Sequence, residues 1–89
     1  MIIKAIHYDQ AFEEQFLGLP KGIQKKAAKA ETFFRKNPFY PSLRLHKLHG
    51  ELKDLWSISI DQKYRIIFKA MDDGVILFIS AGLHAIYER

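Results

Sequence analysis

The sequence contains no cysteine, and this absence removes several classes of function. Without thiols there is no disulfide framework, no thiolate metal site and no thiol nucleophile, so nothing favours secretion and a reducing compartment is the default expectation. A metal ion would have to be held by histidines and carboxylates. Because the four histidines show no close paired spacing, we expect neither a metal site nor a cofactor.

Long apolar segments are also missing. No run reaches the roughly 18 residues needed to cross a bilayer, and the N-terminus MIIKAIHYD lacks the apolar segment and cleavage site of a signal peptide. We therefore expect a cytoplasmic protein with no membrane partner. The 89 residues predict one small domain over 1–89, and its seven Phe, four Tyr and one Trp are an efficient means of filling a thin core.

Positive charge is modest in total but unevenly distributed. The net charge is +4, yet residues 21–53 hold nine Lys or Arg against two Glu, which leaves the rest of the chain at −3. Phosphates attract such a concentration of cations, so nucleic acid or an acidic protein is one expected partner. An ordinary solvated helix face would carry the same charges, and charge alone does not separate the two interpretations.

The first half of the chain predicts a strand followed by two helices. Residues 2–8 are β-branched and apolar, as in a strand. Asp9 is a suitable N-cap for a helix over 10–18, which carries two Phe four residues apart on one face. A proline opens a second helix over 20–37, with one apolar and one Lys-rich face. Helices separated by so short a break are expected to form a hairpin.

The second half alternates with the period of two that is typical of strands. Trp56, Ile58 and Ile60 alternate with polar residues, which predicts a strand with one buried face. Two further strands over 64–71 and 75–81 are joined by a hairpin loop, and we expect the last of them to be central. The predicted fold is α+β in the order β-α-α-β-β-β, with the helix hairpin packed on an antiparallel sheet.

The segment 41–50, PSLRLHKLHG, is polar, basic and irregular, and it lies between the helices and the sheet. It places Arg44, His46, Lys47 and His49 within six residues. In an extended conformation Arg44 and His46 would point to the same side. Taken alone, a surface position is the simpler interpretation of either histidine.

Two more residues stand out from their surroundings. Arg65 lies within an otherwise apolar strand, where a guanidinium needs a carboxylate or a phosphate to receive it. A salt bridge to Asp61 or Glu51 is the structural alternative. His84 follows Gly82, where the apolar pattern of the last strand stops.

His46, Arg65 and His84 are chemically sufficient for RNA cleavage without a metal ion. The reaction needs a base for the ribose 2′-hydroxyl, a cation for the charge on the phosphate oxygens, and an acid for the departing 5′-oxygen. Histidine serves as base or acid near neutral pH, and arginine stays charged. The three residues belong to different segments, so only the fold can bring them together.

Two segments, LHKLHGELKDLWSISIDQKYRIIF at 45–68 and ILFISAGLHAIYER at 76–89, resemble the C-terminal half of the RelE/ParE superfamily of toxins from type II toxin-antitoxin modules. The resemblance implies the same β-α-α-β-β-β plan. Many members of the superfamily are endoribonucleases that cut mRNA on the ribosome, whereas the ParE branch inhibits DNA gyrase.

The resemblance assigns roles one position at a time. His46 resembles the YafQ-type histidine that precedes the first meander strand and takes part in acid-base chemistry. Arg65 resembles the strand arginine of YoeB-like and RelE-like members, which contacts the scissile phosphate. His84 resembles the near-C-terminal histidine of YafQ-like and YoeB-like members. Ser59 and Lys63 stand where YafQ-like toxins have a further His and an Asp, and His46 stands where YoeB-like toxins have a catalytic Glu.

The function implied by the resemblance is that of a ribosome-dependent mRNA endoribonuclease toxin, neutralised by a cognate antitoxin. His46 is then expected to be the base, Arg65 the phosphate contact and His84 the acid. The further expected RNA contacts are Arg44, Lys47, His49, Tyr87, Lys25 and Lys29. The alternatives are a gyrase inhibitor or a non-toxic binding protein of the same fold, for which none of these side chains needs to react.

Overall fold

The computed structural model describes residues 1–83, which form two helices against a five-stranded sheet. In chain order the elements are β1 (Ala5–Tyr8), α1 (Gln10–Gly18), α2 (Lys21–Lys36), β2 (His46–Lys47), β3 (Trp56–Ser59), β4 (Tyr64–Ala70) and β5 (Val75–Leu83). Short 3-10 turns lie at Pro41–Leu43, Gly50–Leu52 and Asp72–Gly74. Within this part of the chain, no helix is long and apolar enough to cross a membrane.

Both helices begin and end where local chemistry predicts. The Asp9 carboxylate accepts the N–H of Gln10 at 2.9 Å, which satisfies one of the free donors of the first turn of α1. Pro20, with φ −54°, directly precedes α2. Helix α2 ends at Lys36, and the N–H of Asn37 donates to the Phe33 carbonyl at 2.8 Å.

The strand order is β1-β5-β4-β3-β2. The β3-β4 and β4-β5 pairs are antiparallel, and β5 lies between two other strands, as predicted. Strand β1 instead pairs with β5 in parallel, so the sheet is mixed rather than antiparallel throughout. The direction of β1 could not be predicted from a turn, because β1 and β5 are separated by most of the chain and no hairpin joins them.

The strand assignments also differ from the prediction. Strand β1 begins at Ala5, since Ile2 is 80% exposed and lies outside the sheet. A two-residue strand, β2, lies in the basic segment that has no apolar alternation, and it pairs His46 with Ser57 and Lys47 with Trp56. This short strand extends the sheet at the edge that carries the candidate residues.

The core lies between the helices and one face of the sheet. Phe34 of α2 packs against Phe68 and Phe78, with ring centroids 4.9 and 5.9 Å away, and Phe12 of α1 lies 5.3 Å from Phe78. Ile58 and Ile66 join the same cluster. The opposite side of the sheet, here called the outer face, carries the alternate residues of the strands: His46, Ser57, Ser59, Arg65, Ile67, Ser80 and Gly82.

A β-bulge in β5 sets which residues reach the outer face. Phe68 pairs with Phe78, but Ile67 pairs with Ser80, so Ile79 is the extra residue. The one-residue shift turns Ala81 towards the core and leaves Gly82, which has no side chain, opposite Arg65.

Tyr8 ties the end of β1 to α2. Its hydroxyl donates to the Glu31 carboxylate, which also lies 3.3 Å from the Arg35 guanidinium. Burial raises the pKa of the Tyr8 hydroxyl, and the hydrogen bond to Glu31 raises it further because ionisation would place two negative charges together.

Replacement of Gly74 by alanine should destabilise the fold by about 1–3 kcal/mol. Its φ is +78°, and an added Cβ would lie 2.8 Å from the carbonyl oxygen of Ile2, in the segment that the Lys4 N–H ties to the Gly74 carbonyl at 2.8 Å. Gly22→Ala in α2 is the matched control, because a Cβ there meets nothing within 4 Å and alanine favours a helix by up to about 1 kcal/mol. Urea denaturation measures both, and equal effects of the two substitutions would contradict this assignment.

Alkaline pH should destabilise the protein partly through Tyr8. The unfolded chain releases this proton near pH 10.0, whereas the fold retains it to higher pH. The contribution to the free energy of unfolding is therefore complete below that pH and falls as the pH rises above it. Tyr8→Phe should show a smaller decline between about pH 8 and about pH 11 in urea titrations. An unchanged decline in Tyr8→Phe would refute the assignment.

Candidate active site

Arg65 is buried on the outer face, with only 7% of its surface exposed. Its Nη1 donates to the Oγ of Ser57 at 3.2 Å, and Ser57 is itself completely buried on the neighbouring strand. A buried guanidinium and a buried hydroxyl each need hydrogen-bond partners, and this contact serves both. A hydroxyl carries no charge, so the contact orients the guanidinium without neutralising it.

His46 is half-buried on β2, where it is the register partner of Ser57. Its Nδ1 lies 3.1 Å from the carbonyl oxygen of Arg44. Because a carbonyl can only accept, the proton of the neutral ring resides on Nδ1, and Nε2 carries the lone pair that can take up a proton. Arg44 has left-handed backbone, φ 47°, at the end of the 3-10 turn, and this bend sets its carbonyl against the ring.

Ser57 therefore joins two of the three predicted catalytic residues. It is the register partner of His46 on one side and the hydrogen-bond acceptor of Arg65 on the other. The prediction of a single buried face for β3 is wrong, because Ser57 and Ser59 on the outer face are buried, as is Ile58 on the core face. The missed signal was a small hydroxyl residue that the adjoining hairpin places beside a buried arginine.

Asp61 is one of two residues that the sequence suggests as a salt-bridge partner of Arg65. Its carboxylate forms hydrogen bonds within the β3-β4 turn. Its carboxylate accepts the N–H groups of Lys63 at 2.8 Å and Tyr64 at 2.9 Å, and it lies 3.9 Å from the Lys26 ammonium. These contacts close the hairpin that brings Ser57 and Arg65 together. Glu51 lies exposed in the 3-10 turn Gly50–Leu52.

The remaining predicted contacts are dispersed over the surface. Lys47 alternates with His46 and points to the opposite side, where its Nζ lies 5.9 Å from the centre of the Trp56 ring. The exposed predicted contacts are Arg44, His49, Lys25 and Lys29. His84 and Tyr87 lie outside the described residues.

A groove lies between the basic helix and the end of β3, on the helix side of the sheet. It encloses about 200 Å³ between α2, the turn Pro41–Leu43 and the end of β3, and its polar lining comprises Lys26, Lys29, Ser42 and Ser59. Ser59 is the register partner of Arg65. The groove thus extends from the lysines of α2 to the β3 position that pairs with Arg65, whose side chain lies on the opposite, outer face.

A second groove, of about 270 Å³, lies between the two helices and has the opposite character. Its walls are apolar, and its charged residues are Glu13 and Glu31. These carboxylates would repel a phosphate, so the second groove is unsuited to a nucleic acid. Across residues 1–83, no three His, Asp or Glu side chains are grouped closely enough to hold a metal ion.

The fold and the buried arginine on its outer face define a small α+β domain of the toxin class. The family model of the ParE-like toxin domain matches residues 21–89, and the chain belongs to this family. The resemblance to RelE/ParE superfamily toxins inferred from the sequence is thereby confirmed. A comparison with curated protein sequences gave no match.

Solved structures of similar fold carry toxin names. The YoeB/ParE toxin from Agrobacterium tumefaciens matches with a TM-score of 0.76 and 14% identity over 91% of this chain and 99% of the other. The DinJ-YafQ toxin-antitoxin complex from E. coli matches with a TM-score of 0.74 and 20% identity over 96% and 97%. The RelBE2 toxin-antitoxin complex from Mycobacterium tuberculosis matches with a TM-score of 0.76 and 13% identity over 93% of this chain and 100% of the other. At these identities the likeness establishes the fold.

Ser57→Ala should lower the free energy of unfolding by about 1–3 kcal/mol, because it removes a buried acceptor of the Arg65 guanidinium. Ser59→Ala is the matched control, since Ser59 is buried on the same face of the same strand. We expect the control to cost less. Urea denaturation of both variants measures the difference, and a Ser57→Ala variant no less stable than Ser59→Ala would show that the hydroxyl does not hold the arginine.

Proposed function

We propose that the chain is a ribosome-dependent mRNA endoribonuclease that inhibits translation. The observation that carries the proposal is the buried guanidinium of Arg65, held by Ser57 one strand away from His46. A buried cation on the same sheet face as a histidine, with a lysine-lined groove at the end of the strand between them, suits a phosphodiester substrate.

In the proposed reaction, His46 acts as the base. With the Nδ1 proton donated to the Arg44 carbonyl, Nε2 accepts the proton of a ribose 2′-hydroxyl. The 2′-oxygen then forms a bond to phosphorus as the bond from phosphorus to the 5′-oxygen breaks. Arg65 stabilises the charge that develops on the non-bridging oxygens, with its five N–H donors in a fixed fork. No bound metal ion enters this scheme.

We propose that His84 is the general acid of this reaction. It would protonate the departing 5′-oxygen, so that the products are a 2′,3′-cyclic phosphate and a 5′-hydroxyl. His84 follows Leu83, the last residue of β5, and Gly82 of that strand is the register partner of Arg65. This closeness along the chain supports the assignment.

Exposed cations would hold the RNA outside the reacting centre. Lys25 and Lys29 on α2 and Arg44 and His49 beyond it are exposed, and Lys47 and Tyr87 complete the proposed set. Contacts of this kind position the phosphate backbone without reading its sequence, and the affinity should fall steeply as salt is added.

We also propose a cognate antitoxin as partner. Two of the structurally similar proteins are described as toxin-antitoxin complexes. An acidic, partly disordered segment would complement the basic face and cover the groove as it folds on binding. Co-expression of a small acidic protein from the adjacent reading frame should restore growth, and failure to do so would count against that protein as the antitoxin.

Inhibition of DNA gyrase is the second candidate function. The matching family is named for ParE-like toxins, and that branch acts without RNA cleavage. It requires no reaction at His46. Induction would then provoke DNA-damage signalling and leave mRNA intact.

Induced expression should arrest growth, and Arg65→Ala and His46→Ala should each relieve the arrest. Loss of the phosphate contact or of the base should slow cleavage at least about 100-fold. Primer extension on a reporter mRNA measures cleavage directly. His7→Ala is the matched control, because His7 is exposed on β1 at the far edge of the sheet.

The outcomes separate the two candidate functions. Arrest with cleaved mRNA that requires both Arg65 and His46 supports the nuclease. Arrest with intact mRNA and a DNA-damage response, unaffected by His46→Ala, supports gyrase inhibition and contradicts the catalytic assignment.

A further inference from the structure

Aromatic rings and lysines meet at the C-terminal half of α2. Phe33 of the helix and Tyr40 after it stack with ring centroids 4.6 Å apart and planes within 8° of parallel. The Lys29 ammonium lies 5.7 Å from the centre of the Phe33 ring. Tyr40 is 42% exposed, so its ring remains open to a further partner. Stacked rings beside cations are typical of surfaces that bind single-stranded nucleic acid.

The groove beside these rings offers groups that bind a phosphate. Phe33 forms one wall, Lys26 and Lys29 supply two ammonium groups, and Ser42 supplies a hydroxyl. Lys26 lies 3.9 Å from Asp61, but its side chain is 60% exposed. An exposed pair of this length contributes little, so Lys26 can turn to a phosphate at small cost.

The groove adjoins the proposed cleavage site. Ser59 lines the groove and is the register partner of Arg65, and paired residues on adjacent antiparallel strands have Cα atoms about 5 Å apart. The Arg65 side chain lies on the outer face and the groove lies on the helix side of the sheet. Strand β2 pairs with β3 only at Trp56 and Ser57, so an RNA strand with one phosphate at Arg65 would pass the edge of β3 at Ser59 to place its neighbouring nucleotide at the mouth of the groove. The other groove, with its two glutamates, offers no such path.

We propose that this groove, together with the Tyr40 ring, is a subsite for one unpaired RNA nucleotide next to the scissile phosphate. Lys26 and Lys29 hold its phosphate, and its base stacks on Tyr40. The subsite deepens the proposed ribonuclease function and rests on it. Because every base has a π-face, the subsite selects an unpaired nucleotide rather than a particular base.

Binding of a short fluorescent single-stranded RNA to the full chain tests the subsite. Methylation of every 2′-oxygen makes the RNA uncleavable, and anisotropy reports its affinity. Abasic residues are introduced at one position at a time. We expect one position at which loss of the base weakens binding of the parent chain by at least about fivefold.

Substitutions at Tyr40 identify the ring responsible. Tyr40→Ala and Tyr40→Leu should bind the intact RNA more weakly and show no further loss at the sensitive position, whereas Tyr40→Phe should behave as the parent. Tyr40→Leu keeps an apolar side chain against Phe33 if the alanine variant does not fold. The abasic scan of the RNA uses the parent chain, so it does not depend on the folding of any variant.

Salt titrations test the lysines. The double replacement of Lys26 and Lys29 by Gln should reduce the slope of log affinity against log salt by about 0.7, because the two ammonium groups hold one phosphate on a single strand. Lys4→Gln removes one such charge beside β1, at the opposite edge of the sheet, and should leave the slope unchanged.

A parent chain that does not bind the RNA, has no sensitive position, or keeps its sensitivity in Tyr40→Leu overturns the subsite. The mRNA cleavage assay is read separately. Cleavage by a chain that lacks the abasic effect refutes the subsite alone. A Tyr40-dependent abasic effect in a chain that cleaves no mRNA refutes the ribonuclease function but supports the contact between Tyr40 and a nucleotide.

Discussion

The burial of the Arg65 guanidinium is the constraint on which the outer face depends. A cation removed from water requires oriented acceptors, and Ser57 on the adjacent strand supplies one from a completely buried position. The turn at Asp61 fixes the register that sets these two residues together. The bulge in β5 leaves a glycine opposite the arginine. Each of these features would be unnecessary for an ordinary two-layer core.

The inner face of the sheet contributes stability, and the outer face carries the candidate functional residues. The inner face packs the aromatic cluster of Phe12, Phe34, Phe68 and Phe78, and this packing supports the strands from behind. The outer face is buried but polar, with His46 on β2 and Arg65 on β4, on either side of β3. Because rigid strands hold these groups, the proposed phosphate contact would need little reorganisation of the site.

Local sequence patterns predicted the elements, and long-range pairing escaped them. The helices follow from Asp9 and from the spacing of the apolar residues, and β3 to β5 follow from alternation. The parallel pairing of β1 could not be predicted, because it depends on contacts between Lys4 and Gly74 and between Asp9 and Phe78. Alternation also made Ser57 resemble a solvent-facing residue, since a pattern cannot distinguish an exposed hydroxyl from a buried one with a partner. Arg65 was identifiable as out of place, but its acceptor required the sheet register.

The central claim is that the outer face cleaves RNA by the attack of the ribose's own 2′-hydroxyl, with Arg65 on the phosphate. The most direct test is the chemistry of the RNA ends after the purified chain acts on mRNA bound to ribosomes. The account predicts an upstream fragment that ends in a 2′,3′-cyclic phosphate and a downstream fragment with a 5′-hydroxyl. A 3′-hydroxyl and a 5′-phosphate, or intact mRNA, would contradict it.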